Sequence, residues 1–303
     1  MAETRIEQIS YGGWLNCYRL TRGDLELVVT SDVGPRVIRC GFVGGQNMFA
    51  EFADHLGKSG EPHWMARGGH RLWIAPEEMP DTYAPDNGSV AATLNGTGIT
   101  LLQPTEPETL LQKEITIELS LDGQVKAIHR VENCGSAPRR IALWALTMMA
   151  PGGVAFVSFP PRGCHDEHLQ PTHPLVMWAY TDFSDRRWQL NEKHLILRQD
   201  PGAATPQKAG LFNQKTIAGY IRGTDLFVKS YRADCAATYP DFHCCFEAFT
   251  NADFLELETL GPLVNLQPGA SVSHVETWSL HSDVCITEFS DAELEAVLQG
   301  TQY

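Results

Sequence analysis

Residues 252–280 read ADFLELETLGPLVNLQPGASVSHVETWSL, and the rest of the chain can be organised around them. Two runs, FLELETL (254–260) and SVSHVETWSL (271–280), are separated by GPLVNLQPGA, which is rich in turn residues. The pattern predicts two antiparallel strands, with the chain turning back between them. Successive side chains of a strand point to opposite faces. Leu255, Leu257 and Thr259 therefore share one side, and Phe254, Glu256, Glu258 and Leu260 the other. Two carboxylates then stand on one face, about 7 Å apart by strand rise. If that face lines a cleft, mutual repulsion would raise one pKa and leave the other ionised, the setting for acid/base chemistry. On the returning strand His274, Glu276 and Trp278 fall on one side. The competing reading is a solvated outer face dotted with glutamates.

The same alternation runs through most of the chain. Short β-rich runs include 25–30, 36–42, 99–103, 110–121, 124–133, 139–149, 153–159, 174–180, 193–199, 216–221, 225–231 and 242–250. Turn chemistry punctuates them. Asp122-Gly123 is a two-residue hairpin signal, and Asn95-Gly96 and Arg222-Gly223-Thr224-Asp225 mark further turns. Strands at this spacing imply packed antiparallel sheets. Without an internal repeat or long polar linker, one domain over residues 1–303 is the simplest division. Helical signal appears only at the tail. Ser290 and Glu293 form a capping box, Leu294 and Leu298 one apolar edge, and Gly300 a stop.

Composition narrows the function. Of the 303 residues 43% are hydrophobic, enough for a large core, and the formal charge is −14. Such a surface repels phosphate backbones and anionic membranes, so neither nucleic acid nor membrane is an expected partner. The N-terminus has no apolar signal region and no run reaches a membrane span, so a cytoplasmic protein with reduced cysteines is expected. The sequence leaves room for a homodimer. His243-Cys244-Cys245 offers soft ligands, but adjacent strand residues point opposite ways, so it is a poor metal site. The histidine-rich 162–173 segment is punctuated by proline and reads as a surface loop.

Chemistry concentrates in HWMARGGHRLWIAPEEMPDTYAPDNG (63–88), where Arg67, His70, Arg71 and Trp73 surround Gly68-Gly69. Donors of this kind beside flat aromatic walls suit a carbohydrate pocket. If a strand follows the glycines, His70 and Arg71 point to opposite faces. A loop plugging one end of a sandwich is the alternative. Asp241 adds a further cleft-lining acid, and Lys208 a cation for an anionic substituent. No phosphate-cradling loop, dinucleotide fingerprint, GxSxG elbow or HExxH helix occurs.

Leu257-Glu258-Thr259, then Leu-Gln-Pro-Gly at 266–269, His274 and Trp278, resembles the C-terminal signature of galactose mutarotases (aldose 1-epimerases). Gly68-Gly69-His70-Arg71-Leu72-Trp73 followed by Ala75-Pro76-Glu77 is similar to a less characterised branch of that superfamily. The resemblance implies an all-β fold, a large antiparallel sandwich with a pocket on a concave face, to which the capped tail adds a short C-terminal helix. It also implies a sugar-active isomerase that interconverts anomers without metal or organic cofactor. Glu258 would be the general base and His70 the general acid. Arg67 and Arg71 would hold hydroxyls or a carboxylate, Trp73 or Trp278 would stack on the ring, and Glu256, Asp241 and His274 would complete the substrate site.

One departure stands out. Where mutarotases carry a second catalytic histidine, this chain has Thr147-Met148-Met149. Another group, His70, His129 or His165, would have to take that role, or the reaction differs. The alternatives are a different sugar or sugar-acid isomerase, epimerase or lyase, with or without a histidine-held metal, and a carbohydrate-binding protein without turnover.

Overall fold

The alternating runs assemble into two large antiparallel sheets in the computed structural model, which describes residues 3–300. Among these residues the first sheet has 11 strands and the second 10. The first begins at its edge with Arg5–Tyr11, Trp14–Arg22, Leu25–Thr30 and Arg36–Phe42. Gly69–Ala75, Arg139–Met149, Leu255–Leu260, Phe246–Thr250, Gln207–Leu211 and Leu175–Met177 follow in that order. The second sheet runs from Trp188–Leu190 through His194–Arg198, Val154–Ser158, Lys215–Arg222, Asp225–Arg232 and Ser271–His281. It ends with Val125–Asn133, Leu111–Leu119, Gly98–Leu102 and Ala91–Leu94.

Inward-facing residues of both sheets meet in one apolar cluster, with Leu72, Ile74, Leu143, Leu255 and Leu257 from the first and Ile115, Val131, Phe227 and Trp278 from the second. Burial of that surface is the main stabilising term. Gly123, Gly96 and Gly223 take the positive φ that their hairpins demand. The tail helix Asp291–Gln299 has its capping box, with Ser290 accepting from the Glu293 amide. Leu294 and Leu298 pack with Phe156, Ile196 and Leu226, covering the outer side of the second sheet.

Two sequence expectations change here. FLELETL and SVSHVETWSL are strands, but they do not form a hairpin. Leu255–Leu260 belongs to the first sheet and Ser271–His281 to the second. Between them Val264–Leu266 pairs with the start of Arg139–Met149 before the chain crosses over. The two runs thus face each other across the interior. The run 242–250 becomes a strand only from Phe246. Asp241, Phe242 and His243 all have φ between 49° and 78°, a left-handed turn that a strand cannot contain.

The paired glycines explain how the Gly69–Ala75 strand enters the sheet. A Cβ on Gly68 would lie 2.0 Å from the Ala50 carbonyl oxygen, and one on Gly69 would lie 2.3 Å from that of Val37. Both have positive φ, so backbone is packed against backbone where only glycine fits.

Candidate active site

Register fixes what each face of the first sheet carries. Trp144 pairs with Trp73 and Leu260, Leu146 with Arg71 and Glu258, and Met148 with Gly69 and Glu256. Glu258 pairs with Glu247, Phe249 with Glu256, and Lys208 with Phe249. Directly paired residues lie on the same face. Arg71, Trp73, Trp144, Glu256, Glu258, Glu247 and Lys208 therefore share the side turned away from the sandwich interior.

The polar centre of this face is Lys208. Its ammonium lies 2.7 Å from Glu247 Oε2 and 3.0 Å from Glu258 Oε2. It sits over the rings of Trp144 and Trp178, at 4.6 and 4.8 Å from their centroids. Trp144 Nε1 donates to the same Glu258 oxygen at 2.9 Å. Burial alone would lower the lysine's pKa, but its two carboxylates more than offset this and hold it well above the usual lysine range. Burial pushes Glu247 well above the carboxylate range, with Lys208 opposing and the charge of Glu258 adding. Glu256 is pushed up to about 8, by burial first and then by the charge of Glu258, against the pull of Arg71.

Arg71 lies 3.8 Å from Glu256 and stacks over Trp73 and Trp64 at 4.1 and 4.5 Å. Trp64, Trp73, Trp144 and Tyr83 form a continuous aromatic wall, with centroids 4.9–5.6 Å apart. Several buried polar atoms on this face make no hydrogen bond within the protein: Arg71 Nε and NH1, Trp64 Nε1, and Oε1 of Glu256, Glu258 and Glu247. Groups left so in a native fold point to water or a ligand as the missing partner. Beside them opens a cavity of about 570 Å³ with Glu77, Glu78, Tyr83, Trp144, Trp178, Lys208, Asp241 and Glu247 in its wall.

The other residues expected in the site lie elsewhere. His70 pairs with Thr147 and points inward, on the opposite side of the sheet from Glu258, so it cannot share a substrate with that carboxylate. His274 and Trp278 also face the interior, from the second sheet. Arg67 is fully buried as a loop tie, bonded to Glu61, to Asn87 Oδ1 at 2.9 Å and to the carbonyls of His55 and Lys58. Lys208 is committed to two carboxylates and is not free for an anionic substituent. Trp144, prominent here, carried little signal in the sequence, because the buried part of its strand is apolar but for Thr147.

Inward-pointing groups form a second polar system. His129 Nδ1 lies 3.0 Å from the His274 carbonyl, which can only accept, so that nitrogen carries the proton. Burial holds both His129 and His70 below the usual histidine range, so the rings are neutral at pH 7. His70 Nε2–H then donates to His129 Nε2 at 2.6 Å, and the Thr147 hydroxyl donates to His70 Nδ1 at 2.8 Å. Next to them Glu276 accepts from Thr259, from Trp278 Nε1 at 2.9 Å and from Lys229 at 2.9 Å. His70, His129 and Glu276 have metal-ligand character, with donor atoms within 4.8 Å, but every one of them already has a protein partner. Cys164, Glu167 and His168 form a second such group, exposed on a loop.

No family model and no curated protein matches this chain. Solved structures do. A galactose mutarotase-like protein from Lactobacillus casei superposes with a TM-score of 0.55 at 13% identity, covering 88% of this chain and 100% of that one. The fold is galactose mutarotase-like. A Klebsiella pneumoniae protein named as a candidate aldose 1-epimerase gives 0.57 at 14% identity, over 97% of this chain and 86% of its own. A galactose mutarotase related enzyme from Lactobacillus acidophilus gives 0.53 at 10%, over 88% and 98%. At such identities the likeness concerns the mutarotase-like sandwich itself. No helix among the described residues is long and apolar enough to cross a membrane.

Proposed function

We propose that this protein is a carbohydrate-active isomerase of the aldose 1-epimerase type, with Glu258 as general base and Glu256 as general acid. The observation that carries the reading is the carboxylate pair itself. Two buried glutamates stand on one face of one strand, each with an Oε1 that accepts no hydrogen bond, and Glu256 is pushed up to about 8. A carboxylic acid still protonated at neutral pH beside a second carboxylate is a matched acid and base.

In this reading Glu258 takes the proton of the anomeric hydroxyl while the bond from C1 to the ring oxygen breaks. Glu256 gives its proton to that oxygen. Rotation about C1–C2 and the reverse transfers close the other anomer and restore both carboxyls. Arg71 supplies the free Nε and NH1 hydrogens for hydroxyls, and Trp73 and Trp144 supply flat walls. Glu258 is fully enclosed beneath Lys208 and Trp144, so substrate entry shifts the Lys208 ammonium onto Glu247 and uncovers it.

The test is the relaxation of freshly dissolved α-anomers followed by NMR. Glu258→Gln and Glu256→Gln should each lower the enzymatic rate by about 10²–10⁴. Wild-type activity should fall as pH rises through about 8, where Glu256 loses its proton. Equal relaxation with and without wild-type protein, across common aldoses, would remove the proposal. Sugar binding without any transformation would leave a binding protein in its place.

A further inference from the structure

We propose that the substrate of this site carries a positively charged amine: an aminodeoxy sugar or a related polyhydroxylated ammonium compound. The inference rests on the preceding assignment of this face as the substrate site and specifies the chemistry it selects.

The charge balance of the cavity supports it. Glu77, Glu78, Asp241 and Glu247 line the wall, with Lys208 as the single cation. Lys208 is already shared between Glu247 and Glu258, and Glu77, Glu78 and Asp241 add three further acids with no second cation in the wall. Glu247 gives an independent sign of a missing partner. Its side chain is fully buried, it borders the cavity, and its Oε1 is unpartnered. An ammonium placed there would supply the charge and hydrogen bonds that the protein withholds.

The aromatic lining agrees. Tyr83, Trp144 and Trp178 present rings to the cavity, and ring faces attract cations. The Trp144 and Trp178 faces already hold one ammonium, that of Lys208. A phosphate or carboxylate would find no uncommitted cation in the cavity wall, where Lys208 is already held by two glutamates. By contrast, the hollow of about 730 Å³ formed by Lys215, Arg232, Ser273 and their neighbours has no acidic residue in its wall.

Burial raises the Glu247 carboxyl, and Glu258 and Asp241 add to the rise against Lys208. Cys244 is itself held protonated, far above the usual thiol range, chiefly by burial. An arriving cation favours the ionised carboxylate, so binding should release a proton.

Titration calorimetry in buffers of different ionisation enthalpy tests this, using 2-amino, 3-amino and 6-amino deoxyhexoses, their neutral parents, their N-acetyl forms and glucuronate. At least one amine should bind about tenfold or more tighter than its parent and its acetylated form. Its affinity should fall with added salt, and protons should be released on binding. Glu247→Gln should erase the preference. So should Asp241→Asn, at a half-buried position whose left-handed backbone asparagine accepts as readily as aspartate. If neutral or acidic sugars bind as well as the amines, the proposed substrate class is wrong while the site stands. If no sugar of any charge binds, both this inference and the site assignment fall.

Discussion

Lys229 shows what a single residue contributes in this fold. It is fully buried between the sheets, donates to the Leu257 carbonyl at 3.0 Å and pairs with Glu276 at 2.9 Å. Burial pulls its pKa down while Glu276 opposes, and Glu276 is held far below the carboxylate range against burial, chiefly by Lys229. Removing one partner of a buried pair leaves an uncompensated charge, at a cost of about 3–5 kcal/mol. Lys229→Met should therefore cost about that much in urea unfolding. Lys229→Met with Glu276→Gln should cost clearly less than the sum of the two single variants. Glu256 makes a prediction of opposite character. Its folded pKa of about 8 lies above the ordinary carboxylate value of 4.5, so the native state keeps a proton that the unfolded chain has released. Stability should fall as pH rises between those values. Glu256→Gln should reduce that slope, leaving the part that Glu247 contributes, which thermal melts at several pH values would reveal. Strand parity made the Glu256/Glu258 face legible in the sequence, along with the opposition of His70 and Arg71. It could not say which of those two faces was the interior, because a histidine and an arginine are both credible on either side.

Elements were legible where local chemistry is strong. The capping box at Ser290 could be read from two residues, and Ser290→Ala should cost roughly 1 kcal/mol of stability. Strands such as Leu25–Thr30, Arg36–Phe42 and Arg139–Met149 stand where β-branched and aromatic residues alternate or run together. Gln207–Leu211, with its small residues and Lys208, gave no such pattern, yet it delivers the lysine at the centre of the site. Pairing was the least legible feature. FLELETL and SVSHVETWSL look like a hairpin because they are close in sequence, but their partners come from residues 139–149 and 125–133, which local pattern cannot report. The Gly68 position makes a sharp prediction. Gly68→Ala places a methyl 2.0 Å from a backbone oxygen at φ +90°, so the protein should be recovered chiefly in inclusion bodies, or with a strongly lowered melting temperature.

At the scale of the whole molecule, hydrogen bonding is uneven. Arg139–Met149 pairs with Gly69–Ala75 on one side and with both Leu255–Leu260 and Val264–Leu266 on the other, and all but its first two residues are buried. Arg5–Tyr11 pairs on one side only, and its residues are exposed or half-buried. Amide hydrogen exchange should find the 141–149 amides among the slowest in the chain and those of 5–11 among the fastest in either sheet. The site stands on the slow part. Its five strands, from Gly69–Ala75 to Gln207–Leu211, are consecutive neighbours in the first sheet, which suits a pair of carboxylates that must keep a fixed separation.

The strands under the site also hold the inward network, one residue out of step: Arg71 beside His70, Leu146 beside Thr147, Glu258 beside Thr259. A slip of one residue would trade the two sets of groups wholesale. Insertions and deletions in these strands are therefore closed to evolution, while substitutions at alternate positions can retune the outer chemistry and leave the hidden framework untouched. A scaffold built this way can change its substrate many times without having to learn to fold again.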